Sequence, residues 1–268
     1  MKNRYGGYEE REFIAEYYDC VYETHVRKYK DVNLFIDYSR KANGKTLELG
    51  CGTGRVLIPT AIAGYEITGL DLSPYMLDKC REKLNLQPKE VQQRVRLVEG
   101  NMTNFDMGET YKLITIPFRA FQHLISIEEQ KGCLENAHRH IDSDGILILD
   151  VFRPLFSRLE PYPEFVAERT DAPDTALPDG RKLHRTSRTV GFHPELQYND
   201  IEIIYYVTHL DGKIERLVQS FPMRYYFRYE MEHLLNICGF RVINLFGDFD
   251  SSKFTGYSPE MIFVAEKI

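Results

Sequence analysis

The stretch LELGCGTGRVL, Leu47 to Leu57, places glycines at three alternate positions, Gly50, Gly52 and Gly54, between two short apolar runs. The first run is typical of a buried strand, and the second favours a helix. A strand-to-helix turn needs a residue that tolerates positive φ, but three glycines exceed that need. The pattern therefore predicts a loop at the carboxyl end of a strand whose backbone a ligand can touch.

A dinucleotide-binding loop is the nearest alternative, since its GxGxxG pattern also follows a strand. Here the third glycine, Gly54, falls one position early, and Arg55 takes the place of the last fingerprint glycine. Asp71 follows the second apolar run and fits both kinds of site, because a carboxylate there can accept hydrogen bonds from ribose hydroxyls. The glycine spacing disfavours a nicotinamide-dependent oxidoreductase.

Short apolar runs alternate with helical patterns along much of the chain, which is typical of βαβ units and a parallel sheet. Ser73 followed by proline predicts a helix start, and Ser126 with Glu129 predicts a capping box. We therefore expect an α/β fold with a mostly parallel seven-stranded sheet and helices on both faces. The predicted strands are 46–50, 66–72, 95–100, 113–118, 145–151, 242–247 and 261–266.

This alternation of strands and helices breaks after Phe152, where a Pro-rich passage leads into the runs IEIIYYVTHL and KIERLVQSF. The dipeptide Asp211-Gly212 joins these runs and is a strong hairpin signal. We predict an N-terminal helical cap over residues 1–40 and an inserted antiparallel β lid over 154–227. The main α/β domain is then formed by 41–153 and 228–268.

Composition and charge argue against several classes of binding partner. The 268 residues carry a net charge of −6, which argues against nucleic acid and anionic membrane surfaces, since clustered Lys and Arg usually bind these. No apolar run approaches the ~20 residues of a membrane span and the N-terminus is polar, so we expect a cytoplasmic protein. The five cysteines are scattered without CxxC spacing, which predicts neither a disulfide framework nor a zinc site.

Four segments resemble, in order and spacing, the class I S-adenosylmethionine-dependent methyltransferases: LELGCGTGR, GLDLSPYML, EGNMTNF and PFRAFQHL. The resemblance covers roughly residues 45–151 and implies a Rossmann-like fold with S-adenosylmethionine as cofactor. The lid and the segment FRYEMEHLLNICGF are similar to those of small-molecule members, including the amino-sugar N,N-dimethyltransferases. Base-methylating members carry a polar residue, two prolines and an aromatic after the fourth strand, whereas this chain has IPFRAF, so nucleic acid is not the expected substrate.

The resemblance also implies roles for individual residues. The backbone of 50–52 would contact the methionine part of the cofactor, Asp71 would bind both ribose hydroxyls, and Leu72 with Met102 would enclose adenine. Asn101 stands where many relatives have Asp, and as a neutral group it is a weaker acceptor for the adenine amino group. No metal is predicted. The predicted cofactor-binding residues are Glu48, Gly50, Cys51, Gly52, Gly54, Asp71, Leu72, Asn101, Met102 and Ile116.

His123 and Tyr18 are the candidate catalytic residues. The sugar N-methyltransferases carry a histidine beside the acceptor amine at the position that matches His123, which could act as a base or orient the amine. They also carry a Tyr-Asp pair near the transferred methyl group that Tyr18 and Asp19 match. Ordinary packing is the alternative for both, since Phe13, Tyr17 and Val21 form a stripe typical of a core.

We therefore predict methyl transfer to a small-molecule acceptor, most plausibly at an amine nitrogen. O-methylation of a phenol or hydroxyl compound is one alternative, and cofactor binding without turnover is another. A homodimer is compatible with these features, but the sequence does not fix the oligomeric state. His138 and His140 lie two apart on a predicted helix, so they cannot share a ligand, and we expect both to face solvent.

Overall fold

The computed structural model describes residues 5–24 and 30–268. Residues 1–4 and 25–29, which belong to the predicted N-terminal cap, lie outside the described residues. The chain divides into two compact units. The smaller unit comprises Met1–Lys28 and Pro154–Arg224, and the larger unit comprises Tyr29–Arg153 and Tyr225–Ile268.

The described residues form twelve strands and eight α-helices. The strands are β1 (Thr46–Leu49), β2 (Ile67–Asp71), β3 (Val95–Glu99), β4 (Tyr111–Ile116), β5 (Ile141–Phe152), β6 (Arg169–Thr170), β7 (Thr175–Ala176), β8 (Lys182–His193), β9 (Tyr198–Thr208), β10 (Ile214–Arg224), β11 (Phe240–Phe246) and β12 (Glu260–Lys267). The helices are α1 (Glu12–Thr24), α2 (Lys30–Ala42), α3 (Leu57–Ile62), α4 (Pro74–Asn85), α5 (Lys89–Gln92), α6 (Ile127–His140), α7 (Pro163–Val166) and α8 (Arg228–Ile237). Short 3₁₀ helices span Ala120–His123 and Phe156–Arg158.

The described strands of the larger unit form one seven-stranded sheet in the order β11-β12-β5-β4-β1-β2-β3. The neighbours from β5 to β3 pair in parallel, while β12 pairs antiparallel with both β5 and β11. This confirms the predicted Rossmann-like sheet. The chain proceeds from β1 to β2 on one side and later adds β4 on the other, so the strand order reverses at β1. Ligands of open α/β sheets bind at such a point, beyond the carboxyl ends of the strands.

Local signals fix the helix starts around this sheet. The Ser73 hydroxyl accepts the N–H of Met76 at 3.2 Å, and Pro74 opens α4. At the start of α6, Ser126 and Glu129 form the predicted capping box. Both predictions are confirmed, because each depends only on residues within one helical turn.

The smaller unit is built on an antiparallel sheet with the order β10-β9-β8-β6, to which β7 adds on β8. The predicted hairpin is confirmed, since residues 209–213 connect β9 to β10. Tyr17 and Val21 of α1 pack with Leu183, Tyr205 and Val207, and Phe13 lies against the same cluster. The stripe on α1 is therefore core packing, as its spacing indicates.

The compact units differ from the predicted domain limits at α2. Val32 and Phe35 of this helix pack with Leu113 of β4 and Ile148 of β5, so α2 belongs to the larger unit and not to an N-terminal cap. The expectation that His140 faces solvent is wrong. This residue is 6% exposed, and its Nε2 accepts the N–H of Met107 at 3.0 Å.

Candidate active site

Gly52 is the glycine of the loop that borders open space. Its φ is +54°, and a Cβ at this position would meet no heavy atom within 4 Å. The other two glycines accommodate neighbours in the protein. A Cβ at Gly50 would lie 2.9 Å from the Cβ of Ala120, and one at Gly54 would lie 2.6 Å from the Sγ of Cys80. The glycine loop therefore offers its backbone to a ligand at Gly52.

Asp71 ends β2 and holds this loop in shape. Its Oδ2 accepts the N–H of Gly52 at 2.7 Å, and its Oδ1 accepts the N–H of Ser73 at 2.9 Å. An ionised carboxylate has about four acceptor positions, so hydrogen bonds to two ribose hydroxyls are compatible with those already made. Asp71 thus fixes the backbone of the glycine loop, and its binding of ribose hydroxyls stays a prediction.

Glu48 supplies a second acidic group behind the loop. Its side chain is 1% exposed, and its Oε2 accepts no hydrogen bond from the described residues. Burial raises the pKa of this carboxyl well above its ordinary value, and the charges of Asp71 and Asp31 act in the same direction, while Arg55 opposes them. Buried polar atoms are normally hydrogen-bonded. A cationic donor, such as the ammonium of a methionine moiety, suits this acceptor.

The other predicted cofactor-binding residues differ in how well their burial and hydrogen bonds suit that role. Leu72 and Met102 are half-buried, as residues enclosing a flat ring would be. The Oδ1 of Asn101, however, accepts both the N–H and the Oγ1 hydroxyl of Thr103 at 2.9 Å, so a bond to an adenine amino group would have to compete with these. Ile116 is fully buried and presents no surface to a ligand. Cys51 is also buried, with 4% of its surface exposed.

The segment after β4 brings His123 to the same edge of the sheet. Because the Cβ of Ala120 lies directly beneath Gly50, the 3₁₀ helix Ala120–His123 packs against the glycine loop. His123 as a whole is half-buried, and its Nδ1 is buried. This burial lowers the pKa of the imidazole to about 4. His123 is therefore neutral near pH 7, and its titration lies well below the ordinary value of ~6.5.

The low pKa of His123 predicts a pH-dependent stability. The unfolded imidazole gains a proton as pH falls below ~6.5, whereas the folded one does so only near pH 4. The free energy of unfolding should therefore decrease as pH falls from ~6.5 to about 4, by up to about 1.4 kcal/mol per pH unit. Above pH ~6.5 this loss of stability is absent, because the imidazole is neutral in both states. His123→Asn should lose this contribution. Urea unfolding of both proteins at pH 7.5, 5.5 and 4.5 measures it, and parallel curves would contradict the assignment.

Tyr18 belongs to the smaller unit, on α1. Its ring centroid lies 4.6 Å from that of Tyr22 and 6.4 Å from that of Tyr8. It therefore forms part of a tyrosine cluster, whereas Tyr17 beside it is buried in the core of the unit. Its approach to a transferred methyl group remains a prediction.

Two contacts of the site were not predicted. The guanidinium of Arg55 pairs with Asp31 of α2 at 2.6 Å and stacks over the ring of Phe118 at 4.4 Å. Asp150 at the end of β5 accepts the backbone N–H groups of Phe118 and Arg119. The sequence shows Arg55 only as the residue in place of a glycine, and these partners are far from one another along the chain.

Two features are absent from the described residues. They contain no group of three or more His, Cys, Asp or Glu side chains arranged to hold a metal ion. In the same part of the chain, no helix has the length and apolar character needed to cross a membrane.

Comparison with known proteins connects this geometry to a family. Residues 46–145 match the family model described as a methyltransferase domain. The cypemycin N-terminal methyltransferase of a Streptomyces species is 25% identical over 234 residues, which cover 87% of this chain and 87% of that protein. The dTDP-3-amino-3,6-dideoxy-alpha-D-glucopyranose N,N-dimethyltransferase of Streptomyces fradiae is 25% identical over 233 residues, covering 85% of this chain and 84% of the relative.

A solved structure agrees with the fold. The methyltransferase CcbJ from Streptomyces caelestis matches with a TM-score of 0.74 and 24% identity, over 98% of both chains. The matched domain begins at β1 and includes the glycine loop, Asp71 and His123. The domain match, the fold and the relatives together confirm the predicted resemblance to the small-molecule, class I methyltransferases and support S-adenosylmethionine-dependent methyl transfer by this chain.

Proposed function

We propose that this protein transfers the methyl group of S-adenosylmethionine to the nitrogen of a small-molecule amine, with amino sugars as the first class to test. The observation that carries this proposal is the position of His123. The 3₁₀ helix that bears this histidine packs against the glycine loop, so a neutral imidazole lies at the edge of the sheet where a cofactor would bind.

Different residues of the larger unit would bind different parts of S-adenosylmethionine. When bound, the cofactor supplies an electrophilic methyl group on a sulfonium ion. The backbone at Gly52 gives it close approach, Asp71 would hold the ribose, and Glu48 would accept from the methionine ammonium. Leu72 and Met102 would enclose the adenine. The main task of the protein is then to align nucleophile, carbon and sulfur and to exclude water.

The low pKa of His123 supports one of its two predicted roles over the other. An ammonium has no lone pair, so the acceptor must reach the methyl group as a neutral amine. A base with a pKa of about 4 takes a proton from an alkylammonium only weakly, because general-base catalysis is most effective with a pKa near the working pH. The neutral ring can accept an N–H hydrogen bond and thereby direct the amine lone pair at the methyl carbon. We therefore favour the orienting role.

The relatives support nitrogen over oxygen as the nucleophile. One of them is named as an N-terminal methyltransferase and the other as an N,N-dimethyltransferase of a dTDP-linked amino sugar. Both align over most of this chain. We further infer that the smaller unit is the substrate lid and that Tyr18 hydrogen-bonds the acceptor amine. Tyr205 is 2% exposed within that unit, so it serves packing and not substrate binding.

A screen of paired acceptors tests the proposal. Amino sugars, aromatic amines and amino acids are each compared with the hydroxyl compound of the same skeleton, and formation of S-adenosylhomocysteine is followed. We expect turnover with at least one amine and none with its hydroxyl partner. Turnover with hydroxyl compounds alone would replace the proposal by O-methylation. Cofactor binding without turnover on any acceptor would favour a non-catalytic binding protein.

A further inference from the structure

Two consecutive residues after β4 adopt an unusual backbone conformation. Phe118 has a φ of +56° and Arg119 a φ of +65°, and neither is glycine. Side chains rarely occupy the left-handed region, because the Cβ approaches the following carbonyl oxygen. Such residues persist only where surrounding contacts hold them, and they are concentrated at functional sites. The contacts that hold this segment therefore indicate what it is for.

Asp150 provides the contacts that fix these two residues. It lies two residues before the end of β5, is 1% exposed, and directs both carboxylate oxygens at the segment. Its Oδ1 accepts the N–H of Phe118 at 2.7 Å, and its Oδ2 accepts the N–H of Arg119 at 3.2 Å. One carboxylate thus engages two adjacent backbone donors, one with each of its oxygen atoms.

The two side chains of the segment are also anchored. The guanidinium of Arg119 pairs with Glu260 of β12, and the ring of Phe118 lies beneath Arg55. One turn later, Gln122 is fully buried and its Oε1 accepts the N–H of Phe152 at 3.0 Å. These contacts attach residues 118–122 to β5 and β12 on one side and to the glycine loop on the other.

The anchored segment leads directly into the 3₁₀ helix that ends at His123. We propose that Asp150 is a positioning residue for methyl transfer: its carboxylate holds Phe118 and Arg119 in the left-handed conformation, and this conformation presents His123 to the acceptor. The inference rests on the proposed function, because it assigns Asp150 to the orientation of an amine through His123.

Folding stability alone does not explain a buried carboxyl group at position 150. Desolvation raises the pKa of this carboxyl to about 7, with Arg119 and the Phe118 N–H opposing the shift and Glu260 and Asp31 adding to it. A folded-state pKa above the unfolded value means that its contribution to folding stability falls as pH rises from ~4 to 7. An apolar or amide residue would avoid this loss, so the carboxylate is better explained by the geometry it imposes.

The first test is a double-mutant cycle with Asp150→Asn, His123→Asn and the double variant. Asparagine keeps one acceptor and turns an amide donor toward the second backbone N–H. With the best amine of the paired screen, we expect Asp150→Asn to lower kcat by roughly tenfold and to change the affinity for S-adenosylhomocysteine by less than about threefold. The double variant should be no slower than His123→Asn alone, because the two residues act in one chain of contacts.

The matched control is Asp144→Asn. Asp144 lies on the same strand, its side chain is 72% exposed, and it pairs with Lys112. We expect this variant to keep the parent kcat. Additive losses for Asp150→Asn and His123→Asn would show that Asp150 does not act through His123 and would overturn the inference.

The second test does not depend on activity. In protein labelled with ¹³C-histidine, the His123 signal is assigned by its loss in His123→Asn. Asp150→Asn should shift this signal and leave that of His138 unchanged, and amide exchange of residues 118 and 119 should become faster. An unmoved His123 signal would overturn the inference even if activity fell. If His123→Asn keeps the parent rate, the proposed role of His123 fails; if His123→Asn loses activity but Asp150→Asn does not, the inference about Asp150 alone fails.

Discussion

Replacing Gly52 by alanine should lower the affinity for S-adenosylmethionine by at least about tenfold, equivalent to roughly 1.4 kcal/mol or more. The added Cβ would enter the open space beside the loop, where the structure places no heavy atom within 4 Å. It would therefore meet the ligand and not the protein. Isothermal titration calorimetry with S-adenosylmethionine and S-adenosylhomocysteine measures the loss.

Gly108→Ala is the matched control for this substitution. Gly108 lies in the same unit with a φ of +68°, and a Cβ there would also meet nothing within 4 Å. Both variants should lose a similar amount of folding stability, about 1–2 kcal/mol, because alanine is strained in the left-handed region. Only Gly52→Ala should lose affinity. Equal affinities for the two variants would mean that the cofactor does not approach the loop at Gly52.

His123→Asn should reduce the rate of methyl transfer by at least roughly tenfold while cofactor affinity stays within about threefold. Without the imidazole, the amine has no fixed acceptor to direct its lone pair at the methyl carbon. Single-turnover measurements with enzyme in excess report the transfer step directly. His138→Asn is the control, since His138 is a half-buried histidine of α6 in the same unit and should leave the rate unchanged.

The pH profile separates the histidine from the substrate. Deprotonation of the acceptor amine produces a rising limb near the pKa of that amine, and this limb should remain in His123→Asn. Protonation of His123 adds a second limb near pH 4, and this limb should disappear in the variant. If the limb that is lost in His123→Asn lies near pH 6.5 and not near pH 4, His123 is a solvated base.

The architecture was predictable because its signals are local. Alternating apolar runs located the strands, and Ser73 and Ser126 located helix starts through bonds made within one turn. The place of α2 was not predictable in this way. Its apolar face packs equally well against any apolar surface, and only the folded chain shows that Phe35 meets β4 and β5.

The site was predictable as a set of loops but not as a set of contacts. The sequence shows three glycines alike, yet only tertiary packing distinguishes Gly52, which borders open space, from Gly50 and Gly54. The pKa of His123 follows from burial, which no motif encodes. One local signal was missed. Asn101 two residues before Thr103 is a pattern typical of an Asx turn, and this turn occupies the side-chain oxygen that was predicted to bind adenine.

The pairing of Asp150 with residues 118 and 119 arises from the parallel register of β4 and β5. This register places Ile116, the last residue of β4, beside Leu149 of β5, so Asp150 lies next to the residues that follow β4. The partners of the Asp150 carboxylate are backbone N–H groups. A sequence motif does not show which backbone N–H groups a side chain will bind.

The central claim is that the methyl group passes to nitrogen. The most direct measurement uses S-adenosylmethionine labelled with ¹³C in the methyl group, together with an amino sugar that carries both amine and hydroxyl groups. NMR of the purified product then shows which atom bears the labelled carbon. We predict a labelled N-methyl group, formed in equal amount to S-adenosylhomocysteine. A labelled O-methyl group on the same molecule would contradict the account.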